Sequence, residues 1–197
     1  MSYLTLPRFG LGMDWETSGF SVPDYAAKHQ GISFGAIIFD FKSLDPVEEL
    51  YREVKFDATK YLWDAGAERV HGLSQAHLAQ HGVTQEEAAV DLANLVIKYF
   101  STEDIILLGH RVHFDRAFTQ QLTESQGIFI NYHPTTLDSA SIGAVLMETS
   151  KSEEIFQTMG MPPRKAHNSL EDIKYTLESL KRMKEYFLAG VLGSLET

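Results

Sequence analysis

A chain of 197 residues with 44% hydrophobic and 22% charged side chains is long enough to bury one sizeable core, and no run of about 18 apolar residues offers a membrane span. The absence of cysteine excludes disulfides and cysteine-ligated zinc and fits a cytoplasmic setting. A net charge of −10, from 17 Lys and Arg against 27 Asp and Glu, argues against broad adhesion to a phosphate backbone, but not against an enzyme that gathers acids around metal ions.

Residues 1–7 lack the basic-then-apolar pattern of a secretory signal. Residues 8–14 read as a glycine-punctuated first strand that runs into Asp14-Trp15-Glu16 and a Thr17-Ser18-Gly19-Phe20 turn. Alternate side chains of a strand share a face, so Asp14 and Glu16 project together and Trp15 projects opposite. Two neighbouring carboxylates repel unless a cation lies between them, and hard divalent ions such as Mg²⁺ take carboxylate oxygens. Alone, such a pair is most often a solvated strand end. A loop over 23–30 leads to a second strand at 31–40 and a third at 49–56, which suggests an antiparallel meander. Residues 58–66 read as irregular or a short helix, and 74–81 as one or two helical turns.

Thr84-Gln85-Glu86-Glu87 has the form of a capping box, opening a helix to Phe100 with Ala88, Leu92, Leu95, Val96 and Tyr99 at helical spacing. The apolar run 105–108 reads as a buried central strand, followed by Gly109-His110-Arg111-Val112-His113-Phe114-Asp115 and a helix over 115–125. A strand is expected at 127–132, stopped at Pro134, then helices at 138–147 and 152–159. Pro162-Pro163 breaks the chain before a last helix over 168–188, whose apolar stripe is Leu170, Ile173, Leu177, Leu180 and Phe187. Strands first and helix–strand alternation later indicate an α/β fold with a mixed sheet covered by helices. No repeat or linker divides residues 1–197, which read as a single domain.

Asp14-x-Glu16, Phe114-Asp115 and His167-x4-Asp172, in that order, resemble the three exonuclease motifs of the DnaQ-like (DEDDh) 3′→5′ exonucleases. Val70-His71-Gly72-Leu73-Ser74 looks like that family's His-Gly-(Ile/Leu) segment, so the resemblance covers nearly the whole chain. It implies a ribonuclease H-like fold, with a mixed central β-sheet flanked by α-helices. It also implies two Mg²⁺ or Mn²⁺ ions held by Asp14, Glu16, Asp115 and Asp172, with His167 as general base. The substrate-binding residues it points to are Thr17, Ser18, Gly19, Phe20, His71 and Leu73. The implied reaction removes nucleotides from single-stranded DNA 3′ ends. The same chemistry on RNA or very short oligonucleotides is the alternative, and a catalytically silent nucleic-acid-binding domain is the rival from another class. One position departs from the family pattern: Arg111 stands where His-Asn-x-x-Phe-Asp is usual.

Each residue also has a bland reading. Asp115 fits a helix N-cap, Asp172 a solvated helix acid, and His167 a surface histidine. His167 sits after the Pro-Pro break at the edge of the last helix, where the dipole favours a neutral imidazole and nearby carboxylates oppose it. Five residues turn an ideal helix by about 140°, so His167 and Asp172 converge only if His167 lies at or before the first turn. Gly19 permits close backbone approach. Phe20 offers either a stacking face, worth about 1–3 kcal/mol per base, or a core side chain. His77 and His81, at i and i+4, have zinc-like spacing without a third ligand from any motif, and read as surface residues. His113 and His133 read as structural.

Overall fold

In the computed structural model, which describes residues 7–20, 25–101, 104–164 and 167–195, the sheet is laid around β1 (Phe9–Thr17). Along one face of β1 stand Leu11, Met13 and Trp15; along the other stand Gly10, Gly12, Asp14 and Glu16. The short helix α1 (Tyr25–Lys28) leads into β2 (Gly31–Asp40), which pairs antiparallel with β1 and sets Asp14 opposite Gly35 and Glu16 opposite Ser33. β3 (Pro46–Glu53) continues the meander antiparallel to β2. β4 (Leu107–Gly109) joins the other side of β1 in parallel, and β5 (Leu137–Asp138) follows parallel to β4. Among the described residues the order is β3-β2-β1-β4-β5, the expected mixed sheet.

Helices α2 (Ala65–His71), α3 (Gln75–His81) and α4 (Gln85–Phe100) come between β3 and β4. α5 (Val112–Ser125) follows β4, and α6 (Ser139–Leu146), α7 (Ser152–Thr158) and α8 (Ser169–Leu195) follow β5. The large face of β1 and the matching face of β2 bury Leu11, Met13, Trp15, Phe34 and Ile38 against Leu92 of α4 and Phe118 of α5. The opposite face buries Ile37, Phe39 and Leu108 against Ile155 and Phe156 of α7 and Ile173, Leu177, Leu180 and Met183 of α8. Thr84 and Glu87 form the reciprocal capping box at the start of α4. None of the described helices is long and apolar enough to cross a membrane.

Several boundaries differ from the sequence reading. β1 runs on to Thr17, which brings Asp14 and Glu16 inside the strand, and β3 spans Pro46–Glu53 in place of 49–56. The strand expected at 127–132 reduces to a single bridge from Tyr132 to Ile105, and the Thr135 N–H beyond it donates to His133 Nδ1 at 3.0 Å rather than to the ladder. Pairing resumes at Leu137 and Asp138, just where a helix was expected to begin. α5 starts at Val112, so Asp115 lies inside its first turn and is not an N-cap. α8 extends to Leu195, and Phe187, 69% exposed, is not part of its buried stripe. Residues 1–6, and 21–24 at the front of the predicted loop, lie outside the described residues.

The glycines on the β1–β2 surface set how closely α8 can lie. A Cβ on Gly35 would fall 2.4 Å from the Leu170 Cα and 2.6 Å from the Ser169 carbonyl carbon, both rigid backbone. Gly35→Ala should therefore push the first turn of α8 off the sheet, with a stability cost of about 1–3 kcal/mol typical of overpacking. Activity should fall more than stability, because Asp172 rides on that turn. Wild-type turnover in a folded Gly35→Ala variant, with melting measured alongside, would contradict this placement.

Candidate active site

The site forms where the glycine face of β1 ends in acids. Asp14 and Glu16 extend from that face toward the start of α8, as the alternation predicted. Burial raises the Asp14 carboxyl to about 7, against the opposing positive charge of Arg164. Burial raises Glu16 to about 8, with the Asp14 charge adding to it and Arg164 again opposing.

Asp115 arrives from the first turn of α5. Its Oδ1 accepts the Trp15 backbone N–H at 3.0 Å, taking the place of a ladder partner because β4 stops at Gly109. The Trp15 indole Nε1–H donates to Thr119 Oγ1 at 2.9 Å, and the Thr119 hydroxyl donates to the Asp115 carbonyl at 2.8 Å. This buried loop of bonds locks the acid to the strand that carries the other two. Burial, then the charge of Asp14, pushes the Asp115 carboxyl well above the usual range, while the Trp15 backbone bond pulls it down.

Asp172 sits in the first turn of α8. Asn168 caps that helix, its Oδ1 accepting the Glu171 N–H at 3.1 Å. His167 precedes the cap in the left-handed region at φ 66°, which turns the chain back over the helix end. Its backbone N–H donates to Asp172 Oδ2 at 3.0 Å. Side-chain ligand atoms of Glu16, His167 and Asp172 lie within 4.8 Å of one another. The condition that His167 lie before the first turn is thus met.

Arg164, which the motif reading passed over, contacts this cluster directly. Its Nη1 pairs with Asp172 Oδ1 and its Nη2 with Glu153 Oε1 at 2.9 Å. The sequence offers only a basic residue three positions before His167 as a signal, and nothing in that spacing announces the contact.

The predicted substrate residues divide. Ser18 is fully buried; its hydroxyl donates to the Leu62 carbonyl at 2.7 Å and accepts the Gln30 N–H at 2.9 Å. Thr17 is buried too, its hydroxyl donating to the Gly19 carbonyl at 3.0 Å. Both side chains are engaged in holding the turn, so any contact with a ligand there falls to the backbone. Gly19 lies at φ 146°, and a Cβ there would meet the His29 ring at 2.6 Å, so internal packing already demands glycine. Phe20 is 69% exposed and is not a core residue. His71 is half-buried edge-on to Trp63; its Nδ1 accepts the Leu73 N–H at 3.0 Å, and burial, with lesser help from His167, lowers its pKa. Leu73 is half-buried beside it.

Of the histidines read as surface residues, His77 is the engaged one, and of the two read as structural, His133 makes a local bond and His113 does not lie in the interior. His77 Nε2 lies 2.6 Å from Glu53 Oε2, with the His81 ring 4.7 Å away. His133 Nδ1 accepts the Thr135 N–H, whereas His113 is exposed. Arg111, the departure from the family pattern, adopts φ 60° at the start of α5, its N–H held by Asp138 Oδ1 at 3.0 Å.

An all-oxygen set of four carboxylates suits a hard divalent cation. Asp14, Glu16 and Asp115, all with raised pKa values, cannot be charged together near neutrality without positive charge among them. The chemistry of the cluster therefore fits a divalent metal: ligand atoms of Glu16, His167 and Asp172 lie together, and the buried Asp14 and Asp115 carboxyls adjoin them electrostatically.

The comparisons with known proteins agree with the motif resemblance. The family model for exonucleases of the RNase T type matches residues 11–180. No curated protein matches the chain. The zinc-bound form of E. coli exonuclease I in complex with single-stranded DNA superposes with a TM-score of 0.73 at 19% identity, covering 92% of this chain and 41% of that one. A product-bound exonuclease I gives 0.72 at 18%, covering 91% and 44%. A 3′-exonuclease that recognises the 3′ end of a histone mRNA stem-loop gives 0.70 at 13%, covering 92% and 83%. At these identities the likeness is one of fold, and this chain spans about two fifths of the exonuclease I chains.

A pH dependence follows from the raised carboxyl pKa values. Unfolded Asp and Glu titrate near 3.9 and 4.3. Between roughly pH 4 and pH 8 Asp14 and Glu16 thus bind more protons in the metal-free folded chain than in the unfolded one, and their contribution to stability falls as pH rises. It outweighs the opposite, smaller contribution of His71 and His110, whose pKa values lie below their usual range. With chelator present, the melting temperature should drop from about pH 5.5 to about pH 8, and Mg²⁺ should raise it more at the upper pH. The drop should shrink in Glu16→Gln. A melting temperature insensitive to pH and to Mg²⁺ would argue against this acid cluster.

Proposed function

The chain belongs to the RNase T exonuclease family, and from that premise we propose that residues 1–197 act as one 3′→5′ exonuclease domain on single-stranded DNA ends. The observation that carries this reading is the convergence of Asp14, Glu16, Asp115, Asp172 and His167 from three separate segments at one end of β1. A catalytically silent binding domain would have no need of five such groups in one place. The cysteine-free composition supports a cytoplasmic setting.

In this reading the four carboxylates would hold two Mg²⁺ or Mn²⁺ ions. Bound there, such ions lower the pKa of an attacking water and stabilise charge on the departing 3′ oxygen. His167 takes the water's proton on its imidazole, from a position outside the helix where its ring remains accessible. Asp172, tied through Oδ2 to the His167 backbone, keeps that base in register with the acids. Phe20 offers an open aromatic face for a terminal base, and in this reading His71 and Leu73 also contact the terminal nucleotides.

A second reading, on RNA 3′ ends or very short oligonucleotides, is favoured by one observation. The histone mRNA 3′-exonuclease is matched over 83% of its length, against 41% for exonuclease I. Digestion of 5′-labelled DNA and RNA oligonucleotides side by side with Mg²⁺ separates the two.

On a 5′-labelled single strand the product should be a ladder shortening from the 3′ side. Blunt duplex should be much slower, since fraying costs a few kcal/mol and the acidic surface offers little duplex binding to offset it. Phe20→Ala should weaken single-strand binding. Mononucleotides released from the 5′ end, or equal rates on duplex and single strand, would overturn the assignment.

His167→Ala should lower turnover by about 10²–10⁴-fold, the usual range for a general base, while Mn²⁺ binding is largely kept. Loss of metal binding together with activity, read by calorimetry, would make His167 a ligand instead.

A further inference from the structure

Arg164 lies outside every motif, yet it is built into the site more thoroughly than most motif residues. Its side chain is 7% exposed. The guanidinium lies 5.0 Å from the Phe156 ring centroid and 5.4 Å from that of Tyr175, so α7 and α8 each supply an aromatic wall. One nitrogen pairs with Asp172 and another with Glu153, an acid on α7 whose side chain is 64% exposed. The Nε–H is buried without a hydrogen-bond partner, a cost that a residue of general packing would not be expected to carry.

The consequence for Asp172 is specific. A carboxylate in the first turn of a helix has several open rotamers, but here each oxygen is held from a different direction. Oδ1 faces Arg164, and Oδ2 accepts the His167 N–H. Each carboxylate oxygen has two lone pairs, so one bond to each leaves capacity for a cation. We propose that Arg164 is a positioning residue for metal binding, holding the Asp172 carboxylate in its ligating orientation while Glu153, Phe156 and Tyr175 hold Arg164. This rests on the reading of the four acids as a divalent metal site.

Two effects of Arg164 oppose each other. Its charge repels a divalent ion, whereas its fixed fork pre-orients a ligand. Removing an outer partner of a metal ligand typically costs about 10–100-fold in affinity, and orientation is the effect that wins here. The two effects predict opposite signs, which makes the choice measurable.

The test is Mn²⁺ binding to the substrate-free full chain, followed by the paramagnetic resonance of free Mn²⁺, with melting curves for each variant. Arg164→Met should weaken Mn²⁺ binding about 10–100-fold. Arg164→Lys should recover only part of the loss, since an ammonium keeps the charge but not the planar fork. Glu153→Gln, at an exposed position that folding tolerates, should weaken binding by a smaller factor in the same direction. Unchanged or tighter Mn²⁺ binding in folded Arg164→Met overturns the proposal and makes Arg164 a counter-charge. Should Arg164→Met fail to fold, unchanged affinity in both Arg164→Lys and Glu153→Gln overturns it equally. Wild-type protein that binds no Mn²⁺, or binds it as well in Asp14→Asn, removes the metal reading itself and this proposal with it. Loss in Asp14→Asn but not at Arg164 removes this proposal alone.

Discussion

Everything at the site depends on how near the start of α8 comes to the sheet. Gly35 on β2 leaves room for the backbone of Ser169 and Leu170, and Gly12 on β1 leaves room for Ile173. With ordinary side chains at those positions the helix would ride higher, and Asp172 would be lifted away from Asp14 and Glu16. The same face of β1 that is smallest where α8 crosses it becomes acidic where the helix begins. Packing and chemistry are therefore two parts of one alternating pattern: glycine, glycine, aspartate, glutamate on one side, and leucine, methionine, tryptophan on the other.

That closeness has an electrostatic cost, which the fold meets in stages. Trp15 contributes a backbone N–H to Asp115, His167 another to Asp172, and Arg164 a full positive charge nearby. These do not neutralise the cluster, since Asp14 and Glu16 still hold their protons to about 7 and about 8. A scaffold that gathers this much acid, kept neutral by its own protons, suits a cation that would displace them. The strongly negative chain charge thus has a local counterpart at the end of β1.

The alternation of Asp14 and Glu16, the capping box at Thr84 and the placement of His167 ahead of its helix were legible because each depends on a few neighbouring residues. The family motifs supplied the long-range pairing that no local periodicity contains. What stayed hidden was set by tertiary bonds. Ser18 looked like an accessible turn residue until the carbonyl of Leu62, 44 positions later, claimed its hydroxyl. Arg164 carried no periodic signal because its partners lie on two different helices. The segment 127–132 has the composition of a strand but keeps one bridge, the Thr135 N–H beyond it turns back to His133, and the sheet edge falls to two residues with little strand character of their own.

The turn after β1 separates two kinds of residue that the sequence sets side by side. Ser18 is knotted inward: its N–H donates to the Gln30 carbonyl, its carbonyl accepts the Asp64 N–H, and its hydroxyl serves both Leu62 and Gln30. Phe20 and Leu62, within reach of that knot, leave most of their surface open. Their side chains can be exchanged without disturbing any bond that holds the acids in place. The outer face of the turn is therefore free to vary in shape and chemistry while its inner bonds, and the acids of β1 behind them, stay fixed.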